Sequence, residues 1–303
     1  MLELDELSKR YGETVALDRL GFAVDEGQAF GFVGPNGAGK TTAMRIVIGV
    51  LAADAGEVRW RGAPLDAETR RRFGYMPEER GLYPKMAVGQ QLAYLGELHG
   101  MSDPRARESA ALWMKRLGIA ERADDKVEEL SLGNQQRVQL GTALVHEPEA
   151  LILDEPFSGL DPVGVDVLSE VLLGVARERG VPVIFSSHQL ELVERLCDAV
   201  AIIRAGRLVA TGGVAELRAE RAGRRWRLEV DGAPGTPAWA ARVAGATPLG
   251  NDVYELAEDT DPQGLLDAAR AAGPVTRFGP EVPTLAELFR DVIGRDSERE
   301  AAR

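Results

Sequence analysis

The sequence predicts an α/β protein built on a parallel sheet, followed by a smaller α+β unit. Three observations carry this reading. The apolar runs Ala29–Val33, Leu151–Leu153 and Val181–Phe185 have the length of short buried strands. Segments of helical period, Thr41–Val50, Val88–His99, Asp103–Leu117 and Asn134–Val145, lie between and around them. Strands alternating with helices indicate parallel pairing with helices packed on the sheet. Finally, the first strand runs straight into a glycine-rich turn, the second into two carboxylates and the third into Ser186-Ser187-His188, and in open α/β sheets ligands bind where strand C-terminal ends converge.

Length and composition narrow the class. At roughly 150 residues per domain, 303 residues suggest about two domains. With 45% hydrophobic and 28% charged residues, the composition is that of a soluble globular protein. A net charge of −12 repels phosphate backbones and argues against nucleic acid as a partner. Cys197, the single cysteine, cannot form an intrachain disulfide, and with only 3 histidines a Cys or His metal site is not expected. The longest apolar candidates, Ile46–Ala53 and Ala199–Ile203, stop at Asp54 and Arg204. They fall far short of the ~18 residues of a membrane helix. The start, Met1-Leu-Glu-Leu-Asp-Glu, lacks the basic and apolar regions of a signal peptide. A cytoplasmic chain is expected, reaching a membrane only through a partner.

After Gly212-Gly213 the character of the chain changes. No Lys follows Lys126, and Arg is the only cation of the tail. Residues 217–303 carry a slight acidic excess, so they do not form a basic arm. Trp226, Leu228 and Val230 alternate with polar residues and read as a strand, as does Val253–Leu256. Pro262–Ala272 and Thr284–Ile293 read as helices, the second opened by Thr284 and Glu287 at capping-box spacing. Residues 217–303 are therefore expected to form a small α+β accessory domain with a frayed end over Asp296–Arg303.

The first chemical motif follows the first strand. Gly34-Pro35-Asn36-Gly37-Ala38-Gly39-Lys40-Thr41 fits G-x-x-x-x-G-K-[ST], with Thr42 next in line. Its glycines let the backbone curl so that several N–H groups face one phosphate, and the helix behind adds its positive N-terminal end. Lys40 is suited to bridging β- and γ-phosphate oxygens, and the Thr41 hydroxyl to holding Mg²⁺. The strand-before, helix-after context separates this motif from a chance glycine turn.

Leu151-Ile-Leu-Asp154-Glu155-Pro156 ends a second strand on adjacent acids. If this strand lies beside Ala29–Val33, Asp154 reaches the Mg²⁺ of the phosphate site. Glu155 is then free to orient and deprotonate an attacking water. His188 follows the third strand at the same sheet edge, where it can bond the γ-phosphate or that water. Alone, such acids are as often solvated loop residues, and such a histidine is more often structural than catalytic; the phosphate loop gives them their chemical reading.

A family resemblance enters at Leu130-Ser-Leu-Gly-Asn-Gln-Gln-Arg137, which resembles the signature of ATP-binding-cassette (ABC) ATPases, usually Leu-Ser-Gly-Gly-Gln followed by Gln-Arg. Other motifs are similar to the cassette in the same order. Tyr11 matches the aromatic residue that stacks on adenine. Gly34–Thr42 matches the phosphate loop, and Gly74-Tyr-Met-Pro-Glu78 the Q-loop region. Ser158-Gly-Leu-Asp161 matches the D-loop, and His188 the switch histidine. The resemblance covers residues 1–216 and implies a P-loop NTPase fold of the ABC type, with a helical subdomain over about 85–145. It implies ATP and Mg²⁺ as ligands, with Thr41, Asp154 and Glu78 on the metal side. Ser131, with the N–H groups and dipole of the helix after it, makes a second anion site. In the family two cassettes meet head to tail, so that Ser131, Gly133 and Asp161 would serve the nucleotide held by a second copy.

Two positions depart from the family pattern. Glu78 stands where Gln is usual, adding a negative charge near the phosphates. Leu132 and Asn134 replace Gly and Gln in the signature, while Ser131 and Gly133 are kept. Arg45, Arg80 and Arg137 read as structural or surface charges. Pro77-Glu-Glu-Arg-Gly-Leu-Tyr-Pro84 resembles bacterial exporter ATPases of sodium-extrusion and multidrug type, which also carry a small C-terminal domain. The function this implies is an ATP-hydrolysing transporter subunit that dimerises on ATP and drives a separate membrane permease. Tyr83, Pro84, Met86 and Val88 are candidate permease contacts. The alternatives are a soluble ABC ATPase acting on ribosomes or nucleic acid, and a P-loop kinase or switch; the second leaves Ser131–Arg137 unexplained.

Overall fold

The computed structural model describes residues 1–222, 225–231 and 243–290. The chain folds as two compact units, Met1–Val214 and Ala215–Arg303.

The first unit opens on β1 (Leu2–Tyr11) and β2 (Thr14–Val24). β3 (Ala29–Val33), buried at every position, leads through the glycine loop into α1 (Lys40–Ile48). β4 (Ala55–Trp60), β5 (Ala63–Pro64), the single-turn α2 (Ala67–Arg70) and β6 (Phe73–Met76) come next. Three helices follow, α3 (Val88–Leu98), α4 (Asp103–Arg116) and α5 (Leu132–Leu144). The chain then alternates through β7 (Ala150–Leu153), α6 (Pro162–Arg179), β8 (Val183–Ser187), α7 (Leu190–Leu196) and β9 (Ala199–Arg204). It closes on β10 (Arg207–Gly213); α8 (Val214–Ala222) starts on the last residue of this unit and belongs otherwise to the second.

These strands form two sheets, an antiparallel one ordered β2-β1-β4-β5 and a larger one ordered β10-β9-β3-β8-β7-β6. In the larger sheet the five strands from β9 to β6 run parallel, and β10 joins antiparallel. Apolar residues of both sheets and α1, among them Leu4, Leu20, Phe22, Phe32, Met44 and Ile152, make one core. Phe22 of β2 stacks on Phe30 of β3 at 5.1 Å, tying the sheets together. The register aligns the strand ends: Val33 pairs with Ser187, Phe185 with Leu153, and Leu153 with Met76. The loops that leave β3, β8, β7 and β6 therefore start side by side.

The sheet order corrects one expectation. β3 and β7 are not adjacent, because β8 lies between them. The antiparallel sheet and α6 also went unread. β1 has register shifts between Leu4 and Leu7 and between Leu7 and Lys9, which break the two-residue alternation that marks a strand. α6 does carry a start signal, Asp161 as N-cap followed by Pro162.

Between β6 and β7, α3, α4 and α5 bury Leu92, Trp113, Val138 and Leu140. The Arg116 and Arg179 guanidinium groups lie over the Trp113 ring at 5.3 and 5.2 Å. Val88 is fully buried, which removes it from the candidate permease contacts and makes it a packing residue.

Two histidines stack where these helices return to the sheet. The His99 and His146 rings lie 3.7 Å apart, with nitrogens on the carbonyls of Arg71 and Phe73. Burial, with His99 alongside, lowers the His146 pKa to about 4. The unfolded chain, at about 6.5, takes up this proton first. The stability contributed by neutral His146 is thus present above about pH 6.5 and lost as pH falls toward 4. Melting temperature is expected to fall less across this range in His146→Phe than in the parent, as followed by circular dichroism.

The second unit contains β11 (Arg225–Val230), β12 (Ala246–Gly250), β13 (Val253–Leu256), α9 (Pro262–Ala272) and β14 (Val275–Pro280). Its antiparallel sheet is ordered β12-β13-β11-β14. Leu228, Val230, Tyr254 and Leu256 from the sheet pack on Leu265 and Ala269 of α9. On the sheet, Arg227 grips both oxygens of Glu281, at 2.8 and 2.7 Å. The capping box at Thr284 forms: its N–H donates to Glu287 Oε2 at 2.8 Å, and its hydroxyl accepts the Glu287 N–H at 3.2 Å. Residues 285–290 are helical. The rest of the helix read to Ile293, and the tail Asp296–Arg303, lie outside the described residues.

Candidate functional site

The glycine loop owes its shape to close approaches. A Cβ on Gly34 would meet the Ile203 carbonyl at 2.4 Å, and one on Gly39 the Ala16 carbonyl at the same distance. Gly39 also has φ 108°, a left-handed backbone that side chains disfavour. The loop then feeds directly into α1, whose first residue is Lys40. Lys40 is 7% exposed, and its ammonium donates to the Gly34 and Pro35 carbonyls at 2.7 and 3.3 Å. Burial lowers its pKa from the ordinary lysine value, opposed by the carboxylates of Glu155, Asp154 and Glu78.

Asp154 follows β7 and is 1% exposed. Its Oδ2 accepts from the Thr41 hydroxyl at 2.7 Å, and its Oδ1 from the Ser186 hydroxyl at 2.6 Å. Thus β8 separates β3 from β7, yet Asp154 still reaches the first turn of α1. Its N–H donates to the Met76 carbonyl at 2.8 Å, tying β7 to the start of the 77–79 loop. Glu155 has φ 50° and holds its carboxylate 2.9 Å from His188 Nδ1.

These groups border one cleft of about 480 Å³. Its wall includes Asn36, Gly37, Ala38, Gly39, Lys40, Thr41 and Thr42, together with Glu78, Asp154 and Glu155. Tyr11, half exposed, forms the far end with Thr14, Val15 and Ala16. His188 joins the group through Glu155. Ser131, Gly133 and Asp161 do not line this cleft. The Ser131 hydroxyl caps α5 by accepting the Asn134 N–H at 3.3 Å, two residues earlier than the helix start read from the sequence. Asp161 caps α6 through the Gly164 N–H at 2.7 Å.

Residues 17–158 match the ABC transporter family, and residues 212–293 match the C-terminal domain of DrrA1-3-like ATP-binding proteins. The ABC transporter ATP-binding protein YhaQ of Bacillus subtilis (strain 168) is 37% identical over 301 residues, 97% of this chain and 99% of that protein. The chain belongs to the ABC transporter ATP-binding proteins. This ABC subunit is a nucleotide-binding ATPase whose hydrolysis powers transport. It is also similar to the Nod factor export ATP-binding protein I of Paraburkholderia xenovorans (strain LB400). Those two chains are 37% identical over 225 residues, 73% of this one and 74% of that protein. Among solved structures, cbiO1 of Clostridium perfringens, part of the ABC transporter complex cbiONQ, superposes with a TM-score of 0.65 and 29% identity. That match covers 73% of this chain and 91% of that one.

The donor set of the ABC subunit suits Mg²⁺. Asp154, Glu78 and the Thr41 hydroxyl present hard oxygens along the cleft. Among the described residues no three His, Cys, Asp or Glu side chains gather into a metal cage.

Sequence reasoning missed several residues of the site. Ser186 was visible only as part of Ser186-Ser187-His188. The β7–β8 register, which sets Leu153 against Phe185, is what brings it beside Asp154. Gln136 reads from the sequence only as part of the signature Leu130–Arg137, and Gln139 only as helix. Gln136 Nε2 donates to the Pro156 and Glu155 carbonyls at 2.9 and 3.3 Å. Gln139 Nε2 donates to Pro77 and Glu79 on either side of Glu78, at 2.7 and 3.3 Å. Their signal was two polar side chains on the buried face of α5.

Proposed function

We propose that this chain is the motor of an exporter, clamping Mg-ATP between its own cleft and the signature helix of a second copy. One observation carries the reading: Thr41, Asp154, Glu155 and His188 are joined in pairs by hydrogen bonds beside Lys40. The glycine-loop N–H groups and Lys40 hold the β- and γ-phosphates, and Tyr11 stacks on the base. Thr41, Asp154 and Glu78 hold Mg²⁺, which neutralises charge on the phosphates. Glu155 takes the proton of the attacking water, and His188 holds Glu155 and the γ-phosphate in line. Ser131 and Gly133, at the start of α5 and outside this cleft, contact the γ-phosphate bound by the other copy, with Asp161 at the seam. ATP then acts as the glue of the dimer, and hydrolysis releases it.

The permease is a separate integral membrane chain, and the cassette sits beneath it on the cytoplasmic face. Among the described residues no helix is long and apolar enough to cross a membrane. A groove of about 610 Å³ along α3, lined by Met86, Gln90, Tyr94 and Met114, is the docking surface. Exposed Tyr83 packs edge-on against Tyr94 at 6.2 Å beside it. The export direction is supported by the likeness to the Nod factor export protein. The tagged chain is expected to co-purify from membranes with a protein of about six apolar spans of ~20 residues. Repeated recovery of no integral membrane chain contradicts the transporter reading. Nucleotide-sensitive co-sedimentation with ribosomes would favour a soluble ABC ATPase instead.

A further inference from the structure

Ser186, one residue before the end of β8, places a fully buried hydroxyl between the two acids of the site. It donates to Asp154 Oδ1 at 2.6 Å and accepts the Glu155 N–H at 2.8 Å. Because Asp154 takes the hydroxyl proton, the oxygen lone pairs are turned toward Glu155. That residue needs the hold. At φ 50°, Glu155 occupies the left-handed region, which a residue with a side chain keeps only where its surroundings over-determine it. The peptide before it is fixed by Ser186, the carbonyl after it by Gln136 at 3.3 Å, and its carboxylate by His188 at 2.9 Å.

We propose that Ser186 is a positioning residue for hydrolysis, holding the Glu155 backbone in the conformation that aims its carboxylate at the cleft. The proposal rests on Glu155 being the base. Ser186 acts through Glu155 and touches neither nucleotide nor water. Its loss removes one bond to Asp154 Oδ1 but leaves Thr41 on Asp154 Oδ2 and Lys40 in the glycine loop, so nucleotide binding is expected to change far less than the rate. What changes is the placement of the carboxylate, and a misplacement of ~1 Å costs about 10²-fold in rate.

The test is a double-mutant cycle read by steady-state hydrolysis and by equilibrium binding of Mg-ATP. Ser186→Ala is expected to lower kcat about 10²-fold with nucleotide affinity changed far less. Ser186→Thr, which keeps the hydroxyl, is expected to recover most of that rate. In a Glu155→Gln background, where the carboxylate is already gone, Ser186→Ala is expected to change the residual rate less than about twofold. Gln136→Leu, which frees the other side of Glu155, is expected to give the same loss of kcat at constant affinity. An undiminished rate in Ser186→Ala, or an equal loss in both backgrounds, overturns the proposal. Loss of nucleotide binding in step with kcat marks a structural role and overturns it too. Full hydrolysis by Glu155→Gln alone refutes the base assignment instead, so the two failures are told apart.

Discussion

Glu155→Gln is expected to bind Mg-ATP as the parent does and to hydrolyse it about 10²–10⁴-fold more slowly, the range for loss of a positioned acid–base group. The amide fills the same space and still accepts from His188, which lies 2.9 Å from Glu155 Oε2. It cannot accept the proton of water at neutral pH. The substitution leaves Lys40, Thr41 and Asp154 untouched, so affinity and rate should separate cleanly. Phosphate release and nucleotide titration on the same preparation measure both. A Glu155→Gln chain that hydrolyses as fast as the parent removes Glu155 from the chemistry.

Lys40→Ala is expected to act on the opposite quantity. Lys40 is 7% exposed; burial lowers its pKa, and the carboxylates of Glu155, Asp154 and Glu78 oppose that by favouring its charge. Removing it sets a triphosphate against those acids with its nearest side-chain cation gone. A hydrogen bond to a charged group contributes about 1.5–3 kcal/mol, so affinity should fall about 10- to 100-fold. Equilibrium binding of Mg-ATP reads this, with Lys115→Ala, exposed on the last turn of α4, as a control whose affinity stays near the parent's. An affinity in Lys40→Ala within about twofold of the parent contradicts the phosphate-loop reading.

The parts of the fold that were legible in the sequence are those set by local rules. The glycine spacing of Gly34–Gly39, the short apolar strands and the helix-period segments each depend on neighbours in sequence. Their boundaries moved by a few residues: Leu132, capped by Ser131, rather than Asn134 opens α5, and β8 runs on to Ser187. What stayed hidden depends on pairing. Nothing local to Ala29–Val33 or Leu151–Leu153 says that β8 separates them. Nor does a register shift in β1 announce the antiparallel sheet. The site divides in the same way. Lys40, Thr41, Asp154 and Glu155 carry their chemistry in short motifs. Ser186, Gln136 and Gln139 gain theirs only from the backbone groups that the tertiary fold sets against them. Glu78 is the intermediate case: its departure from the usual Gln was visible, whereas the Gln139 bonds that pin its loop were not.

The claim on which the rest depends is that one chain supplies only part of the surface its nucleotide needs. The cleft holds the phosphate loop and the acids, while Ser131 opens a helix elsewhere on the same unit. Light scattering of the Glu155→Gln chain saturated with Mg-ATP tests this most directly. The expected result is a particle of two chains that returns to the 32.7 kDa monomer when Mg²⁺ is chelated. A particle that stays at 32.7 kDa with nucleotide bound, alone and with the membrane partner present, contradicts it.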